Sequence, residues 1–328
     1  METARPDLRP LGVGEMVDAA IRLFRTNFLT LIKISSVVLV PIAVIQLIGT
    51  VMVGPLDMAS LVVVDPDMTP AEALEPLIPL YAVLGVTGLL SFLGSILVQG
   101  ASITALAQVY QGEEPDWRSS LRVGGRRFLP LTISTILFSL GTAMPLLIAG
   151  ALIVLLVIAI GPVGLLPGFA VGVGGLVATV ILFTRWTVSP AALVTEQLGP
   201  VAALGRSFQL VRGRFWPVLG AIVLAYILYF VVNQIISVVT TVVTLAGAMG
   251  SEQVSFIPSV VGSALVSIIA TPFLAAMVTI IYFDLRVRKE GYDLELMAAD
   301  LERMGGHDAS PPPAAGDDPF GLGSPGDR

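Results

Sequence analysis

The chain consists of long apolar runs separated by short polar segments. Six such runs are present, at residues 28–54, 77–108, 128–160, 163–186, 215–248 and 256–284. About 18 or more consecutive apolar residues are enough for a helix to cross the hydrocarbon core of a bilayer. The pattern therefore predicts an all-α, polytopic membrane protein with six transmembrane helices.

Composition agrees with this prediction. Of the 328 residues, 55% are hydrophobic and only 13% are charged, whereas soluble domains carry about 25% charged residues. So few charges cannot cover a water-exposed surface over this length. The chain has no cysteine, which excludes disulfides, thiolate metal sites and cysteine nucleophiles.

The distribution of charge predicts the topology. With six spans, all 18 Lys and Arg residues fall on one side of the membrane. The connections on the other side carry only acidic charges, at Asp57, Asp65, Asp67, Glu72, Glu75 and Glu252. By the positive-inside rule the basic side is cytoplasmic. We therefore expect a multi-pass protein of the bacterial cytoplasmic membrane with both termini in the cytoplasm.

One run is long enough to raise an alternative. Gly141 and Pro145 could divide residues 128–160 into two short spans, which would give seven in total. A seventh span would move Arg206, Arg212 and Arg214 to the acidic side. The charge rule therefore favours six.

A basic segment recurs before three of the runs. Residues 21–29 read IRLFRTNFL, residues 121–129 read LRVGGRRFL and residues 208–216 read FQLVRGRFW. Their apolar and basic positions largely coincide, which indicates three membrane hairpins, each preceded by an amphipathic helix. Such a helix can lie in the headgroup plane or pack as an elbow against other helices, and the two arrangements are compatible. We predict lipid-headgroup contacts by Arg22, Arg25, Arg122, Arg126, Arg127, Arg212 and Arg214.

Helical spacing predicts which side chains form the apolar face of these amphipathic helices. In the third segment the expected stripe is Val201, Leu204, Phe208, Val211 and Phe215.

The six-span pattern divides the chain into a cytoplasmic N-terminal segment at 1–27, a membrane domain at 28–290 and a cytoplasmic C-terminal segment at 291–328. After about residue 305 the composition is proline-rich and polar, which predicts disorder.

Particular residues of the chain resemble a known family. They are Arg9 to Glu15, Arg185-Trp186, Pro190, Glu196, Arg206-Ser207, Leu210 to Trp216 and Tyr282 to Gly291. Over roughly residues 9–298 the sequence resembles the membrane domain associated with glycerophosphoryl diester phosphodiesterases, and related six-span bacterial proteins of unassigned function. The family's hydrolase activity belongs to a separate catalytic domain. The resemblance thus implies the membrane fold without that activity.

Residues that could perform chemistry are scarce. There is no HExxH, GxSxG, Walker or CxxC motif, and the only histidine is His307, in the tail. Histidine-dependent hydrolysis and histidine-ligated metal sites within the core are therefore excluded. We expect a protein that is not an enzyme, with no metal, no cofactor and no nucleic-acid partner.

Two groups within the spans require an explanation. Asn233 and Gln234 lie near the middle of the fifth run, where interhelical hydrogen bonds or a substrate site would explain them. Gly164, Gly168 and Gly172, followed by Gly175, form a ridge that favours close helix packing or a contact between two copies.

The leading function hypothesis is an integral membrane protein that organises lipids, anionic ones among them, or protein partners at the cytoplasmic face. The second hypothesis is a transporter or channel for a small solute. The internal repeats favour it, whereas the lack of carboxylates at mid-depth disfavours it. An intramembrane enzyme ranks last because no catalytic constellation is present.

Overall fold

The structure, a computed structural model, describes residues 11–53, 77–248 and 257–291. Within these ranges it is helical and contains no strand. The predicted disorder of the tail and the acidic connections lie outside the described residues. The helices are α1 Val13–Thr26, α2 Phe28–Val53, α3 Ile78–Tyr110, α4 Trp117–Arg126, α5 Phe128–Ile160, α6 Leu165–Trp186, α7 Ser189–Thr195, α8 Pro200–Val211, α9 Phe215–Ala248 and α10 Ile257–Glu290.

Five stretches of the described chain are long and apolar enough to cross a membrane. They are Phe28–Val53, Tyr81–Tyr110, Phe128–Thr195, Phe215–Leu245 and Ile257–Glu290. The third contains 68 residues and includes both α5 and α6, which are joined by the 3-10 helix Gly161–Gly164. Pro145 lies inside α5, so the helix continues through the point at which the sequence allowed a break.

The turn between α5 and α6 depends on Gly161. Its φ is +68°, a left-handed conformation that glycine adopts without steric penalty. After this turn α6 runs back along α5. Successive contacts show this course: Gly164 faces Leu156, Gly175 faces Ala149, and Thr179 donates a 3.1 Å hydrogen bond to the carbonyl of Thr142.

The glycine ridge of α6 is tight at its ends and looser in the middle. A Cβ on Gly164 would lie 2.5 Å from the carbonyl oxygen of Leu156. One on Gly175 would lie 2.6 Å from the Cβ of Ala149. At Gly168 and Gly172 the nearest atoms belong to Ile153 at 3.4 and 3.6 Å, which is ordinary contact. All three of Gly164, Gly168 and Gly172 therefore face α5, and the closest approach is at Gly164.

The short helices before the long ones pack against protein. In α1 the buried side chains Met16, Ala20 and Leu23 belong to the hydrophobic core, which agrees with the elbow interpretation. In α8 the buried face is formed by Ala203, Leu204, Ser207, Leu210 and Val211. Val201, predicted on the apolar stripe, is 71% exposed because it lies in the first turn and points away from this face.

Helix α10 is the central element of the packing. Its most apolar window is 61% buried, against 22% or less for the other four candidate stretches. The burial is concentrated towards its C-terminal end, from Ala275 to Leu285. Elsewhere the long helices expose apolar side chains such as Met52 and Leu166, as expected for surfaces that face lipid.

Candidate functional site at the basic junctions

The three basic segments lie at one end of the helix bundle. Phe24 of α1 packs edge-on against Phe273 of α10, with ring centroids 6.0 Å apart. Gly124 of α4 lies against Ala101 of α3. The end of α3 reaches α10 through a stack of Tyr110 on Phe283, at 4.2 Å. The repeated segments therefore converge on the same region, although they are distant in sequence.

A network of ionic and hydroxyl groups connects α7, α8 and α10 at this end. Nε of Arg206 donates to both oxygens of Glu196, at 3.0 and 2.9 Å. Its NH2 group lies 2.5 Å from Oε1 of Glu290, whose other oxygen accepts from Arg286 at 3.1 Å. The hydroxyl of Tyr282 donates to Glu196 at 2.7 Å.

Burial and the two carboxylate partners shift the pKa of Arg206 in opposite directions. Desolvation lowers the pKa of the guanidinium, whereas hydrogen bonds and the charges of Glu196 and Glu290 raise it, and the net direction is upward. Arg206 therefore stays charged and acts as a structural bridge between the two carboxylates.

A second group of contacts holds the start of the described chain. Oδ1 of Asp284 accepts from the backbone N–H of Leu11 at 2.8 Å. Arg288 donates to Oδ2 of Asp284 at 2.9 Å and to the carbonyl of Leu11 at 2.7 Å. Asp284 and Arg288 thus satisfy both backbone groups of one residue, and the side chain of Asp284 is only 2% exposed.

The end of α8 is held by a cation from α10. Nζ of Lys289 donates to the carbonyls of Gln209 and Arg212, at 2.6 and 2.7 Å. A helix leaves its last carbonyls without intrahelical partners, and a cation there also interacts favourably with the helix dipole. Lys289 is therefore a C-terminal cap supplied by another helix.

Sequence reasoning did not identify Glu196, Tyr282, Asp284 and Glu290 as a network. Two signals were available. Asp284 precedes Arg288, and Arg286 precedes Glu290, by four residues, the spacing of side chains on one helix face. In addition, the residues that carry the family resemblance are largely the same ones, and the structure brings them together.

The arginines predicted to contact lipid fall into two groups. Six are exposed at the three junctions: Arg22, Arg25, Arg122, Arg126, Arg212 and Arg214. None of their guanidinium groups has an ion pair or hydrogen bond with another described residue. Arg127 is half-buried and donates to Oε1 of Gln197 at 2.9 Å. It is therefore engaged within the protein.

The polar residues in the middle of α9 are not deeply buried. Asn233 is half-buried and Gln234 is exposed. In the part of the chain that the structure describes, neither amide makes an interhelical hydrogen bond. Interhelical hydrogen bonding by these two residues therefore stays a prediction.

A polar cavity lies between α2, α3 and α10, beyond the packed core. Its volume is about 250 Å³. Its polar lining comprises Gln46, Ser91, Ser95, Ser263, Ser267 and Thr271. Two of the helices that bound it contain an internal proline, Pro41 in α2 and Pro272 in α10, and each proline removes a backbone donor from its helix.

The arrangement contains no recognisable catalytic constellation among the described residues, and no group of three His, Cys, Asp or Glu there could hold a metal. Comparison with known proteins gave no match to a family model, to a curated protein or to a solved structure. The resemblance to the phosphodiesterase membrane domain therefore stays a prediction.

Proposed function

We propose that this chain is a non-enzymatic membrane protein with six spans and cytoplasmic termini, which binds anionic phospholipid headgroups through its basic junctions. The sixth span follows from treating α5 and α6 as separate crossings. The two helices run in opposite directions, and with 33 and 22 residues each is long enough to span the bilayer.

The observation that carries the proposal is the division among the basic residues. Four basic residues form ion pairs or hydrogen bonds with carboxylates or backbone carbonyls: Arg206, Arg286, Arg288 and Lys289. The six exposed arginines lie beside the first turns of α2, α5 and α9 without described partners. A cation near an anionic membrane surface contributes about 1 kcal/mol, and a guanidinium can also bind phosphate through two parallel hydrogen bonds.

Lipid retention after arginine-to-lysine substitution tests this proposal. Replacement of all six exposed arginines by Lys keeps the charge that sets topology but removes the planar guanidinium fork. We expect unchanged topology and severalfold less retained phosphatidylglycerol or cardiolipin, measured by native mass spectrometry. Retention equal to that of the parent protein, with the same salt dependence, would leave these arginines with a topological role only.

A matched pair of single substitutions provides the control. Arg126 and Arg127 are neighbours in sequence, but only Arg127 is bonded to Gln197. Arg126→Lys should therefore lower anionic-lipid retention, whereas Arg127→Lys should leave it unchanged. Equal effects would contradict the distinction between exposed and engaged arginines.

The span count has its own test. Reporters fused after Gly112, Gly199 and Gly305 should give cytoplasmic signals, and reporters within residues 55–76 or at Glu252 should give external ones. An external signal from the fusion after Gly199 would refute the six-span topology.

The cavity between α2, α3 and α10 favours a second candidate function, a passage for a small polar solute. A lining rich in hydroxyls and an amide is unusual within spans that otherwise expose apolar side chains. Uptake of labelled glycerol into proteoliposomes tests this function. Uptake above that of protein-free vesicles, reduced by Ser267→Val and Ser95→Val, would favour transport over lipid organisation.

A further inference from the structure

A second cavity lies nearer the basic junctions, where α5, α6, α7, α9 and α10 meet α3. Its volume is about 160 Å³. Leu131, Ser134 and Phe138 line it from the first three turns of α5. On α10 it is lined by Met277 and Ile281, within the packed segment, whereas the polar cavity described above is lined by Ser263 and Ser267, nearer the start of the helix. The cavity therefore lies in the half of the bundle next to the basic junctions.

One polar group of this cavity has no partner. Ser134 is 2% exposed, and its Oγ makes no hydrogen bond in the described part of the chain. Leaving a buried hydroxyl without a hydrogen bond costs about 1–3 kcal/mol. The amide of Gln99 and the hydroxyl of Ser189 line the same space. The site thus offers neutral donors and acceptors, and no charged side chain lines it.

Three aromatic rings also line the cavity. Phe138 and Phe183 have ring centroids 5.4 Å apart, and Phe183 and Tyr226 have centroids 6.1 Å apart. All three line the cavity, and Tyr226 is 44% exposed on the outer surface of α9. The aromatic cluster therefore connects the cavity with the lipid-facing surface.

We propose that this cavity binds a neutral, membrane-soluble molecule with a planar, carbonyl-bearing ring, of the quinone type. A cavity of about 150 Å³ accommodates a single benzene-sized ring. The aromatic faces suit a planar ring by stacking. Ser134 and Gln99 would donate to its carbonyl oxygens. The lack of charge in the lining disfavours ionic solutes and phospholipid headgroups, so this site differs from the arginine surface in ligand and in location.

Trp186 provides a local readout. It directly precedes Thr187, which lines the cavity, and its ring packs on Gly141 of α5. The chain has three tryptophans, so the double substitution Trp117→Phe and Trp216→Phe leaves Trp186 as the only tryptophan whose fluorescence is measured. The single-ring quinone 2,6-dimethyl-1,4-benzoquinone is then titrated into this protein in nanodiscs. We expect saturable quenching, whereas partition into the bilayer alone would produce quenching that rises linearly.

Two serines form a matched pair for this experiment. Ser102 and Ser134 are both buried with unpartnered hydroxyls, but only Ser134 lines the cavity. Ser134→Ala should weaken dimethylbenzoquinone binding about fivefold, the effect of one lost hydrogen bond, whereas Ser102→Ala should leave it unchanged. Ala225→Leu should fill the cavity and abolish saturation.

Three outcomes would overturn the proposal. They are strictly linear quenching in the parent protein, equal effects of the two serine substitutions, and displacement of dimethylbenzoquinone by dioleoylglycerol, which carries ester carbonyls but no ring, at equal concentration. Saturable binding that depends on Ser134 and resists dioleoylglycerol would support it.

Discussion

The contact between α5 and α6 allows the sharpest quantitative test, because adjacent glycines have opposite surroundings. A Cβ added to Gly175 would lie 2.6 Å from the Cβ of Ala149 and 2.9 Å from the carbonyl oxygen of Pro145. A Cβ added to Gly174 would meet nothing within 4 Å. The substitutions Gly175→Ala and Gly174→Ala therefore add the same methyl group to the same helix in two different environments.

The magnitude follows from these distances. Carbon atoms in contact prefer about 3.5–4.0 Å, so Gly175→Ala must separate the helices by about 1 Å against backbone that cannot rotate away. Such overpacking costs about 1–3 kcal/mol. Both substitutions gain the same helix propensity, about 1 kcal/mol for Ala over Gly. The difference between the two variants thus isolates the packing term.

Reversible unfolding in mixed detergent micelles, followed by circular dichroism, measures this difference. We expect Gly175→Ala to have a free energy of unfolding about 1–3 kcal/mol lower than that of Gly174→Ala. Gly168→Ala should resemble Gly174→Ala, since the nearest atoms to its added Cβ lie at 3.4 Å. Equal stability of Gly175→Ala and Gly174→Ala would refute the close approach of α5 and α6.

Three further predictions concern the junction end. Arg288→Gln should lower the free energy of unfolding by about 3 kcal/mol, because it leaves the buried carboxylate of Asp284 unpaired, and Asp284→Asn in the same chain should restore part of it. Asp116 caps α4, and hydrogen bonding, first from the backbone N–H of Ser119, lowers its pKa. This stabilisation is present above the unfolded pKa, about 3.9, and lost as pH falls through the lower folded value, so Asp116→Ala should lower the Tm more at pH 7 than at pH 2. Finally, protein purified to homogeneity should not hydrolyse glycerophosphodiesters with Mg²⁺, Ca²⁺ or Zn²⁺, and turnover sensitive to point mutation would contradict this.

The long helices could be predicted from the sequence because their signal is local. A run such as residues 128–160 is apolar throughout, and α5 has the same bounds. The basic segments were equally visible, since α1 and α4 end at Thr26 and Arg126, just before the long helices begin. Length and hydropathy are properties of a segment and need no knowledge of its neighbours.

The pairing of side chains could not be predicted in the same way. Asp284 and Leu11 are separated by 273 positions, and nothing in either segment specifies the other. For the same reason the sequence could not distinguish Arg206, which bridges two carboxylates, from Arg212, which is exposed. Spacing indicated that Gly164, Gly168 and Gly172 share a face, but it could not report how closely α5 approaches each of them.

The position of α10 has a consequence for biogenesis. The most buried of the long apolar helices is also the last of them to leave the ribosome, and its final turns bind Leu11, Glu196 and the end of α8. Until α10 has entered the membrane, the earlier helices lack the surface against which they pack, and the carboxylate of Glu196 lacks the hydroxyl of Tyr282. Chains arrested before residue 282 are therefore expected to remain as loosely associated helices, accessible to membrane proteases, and synthesis of the last turns converts them into the assembled bundle.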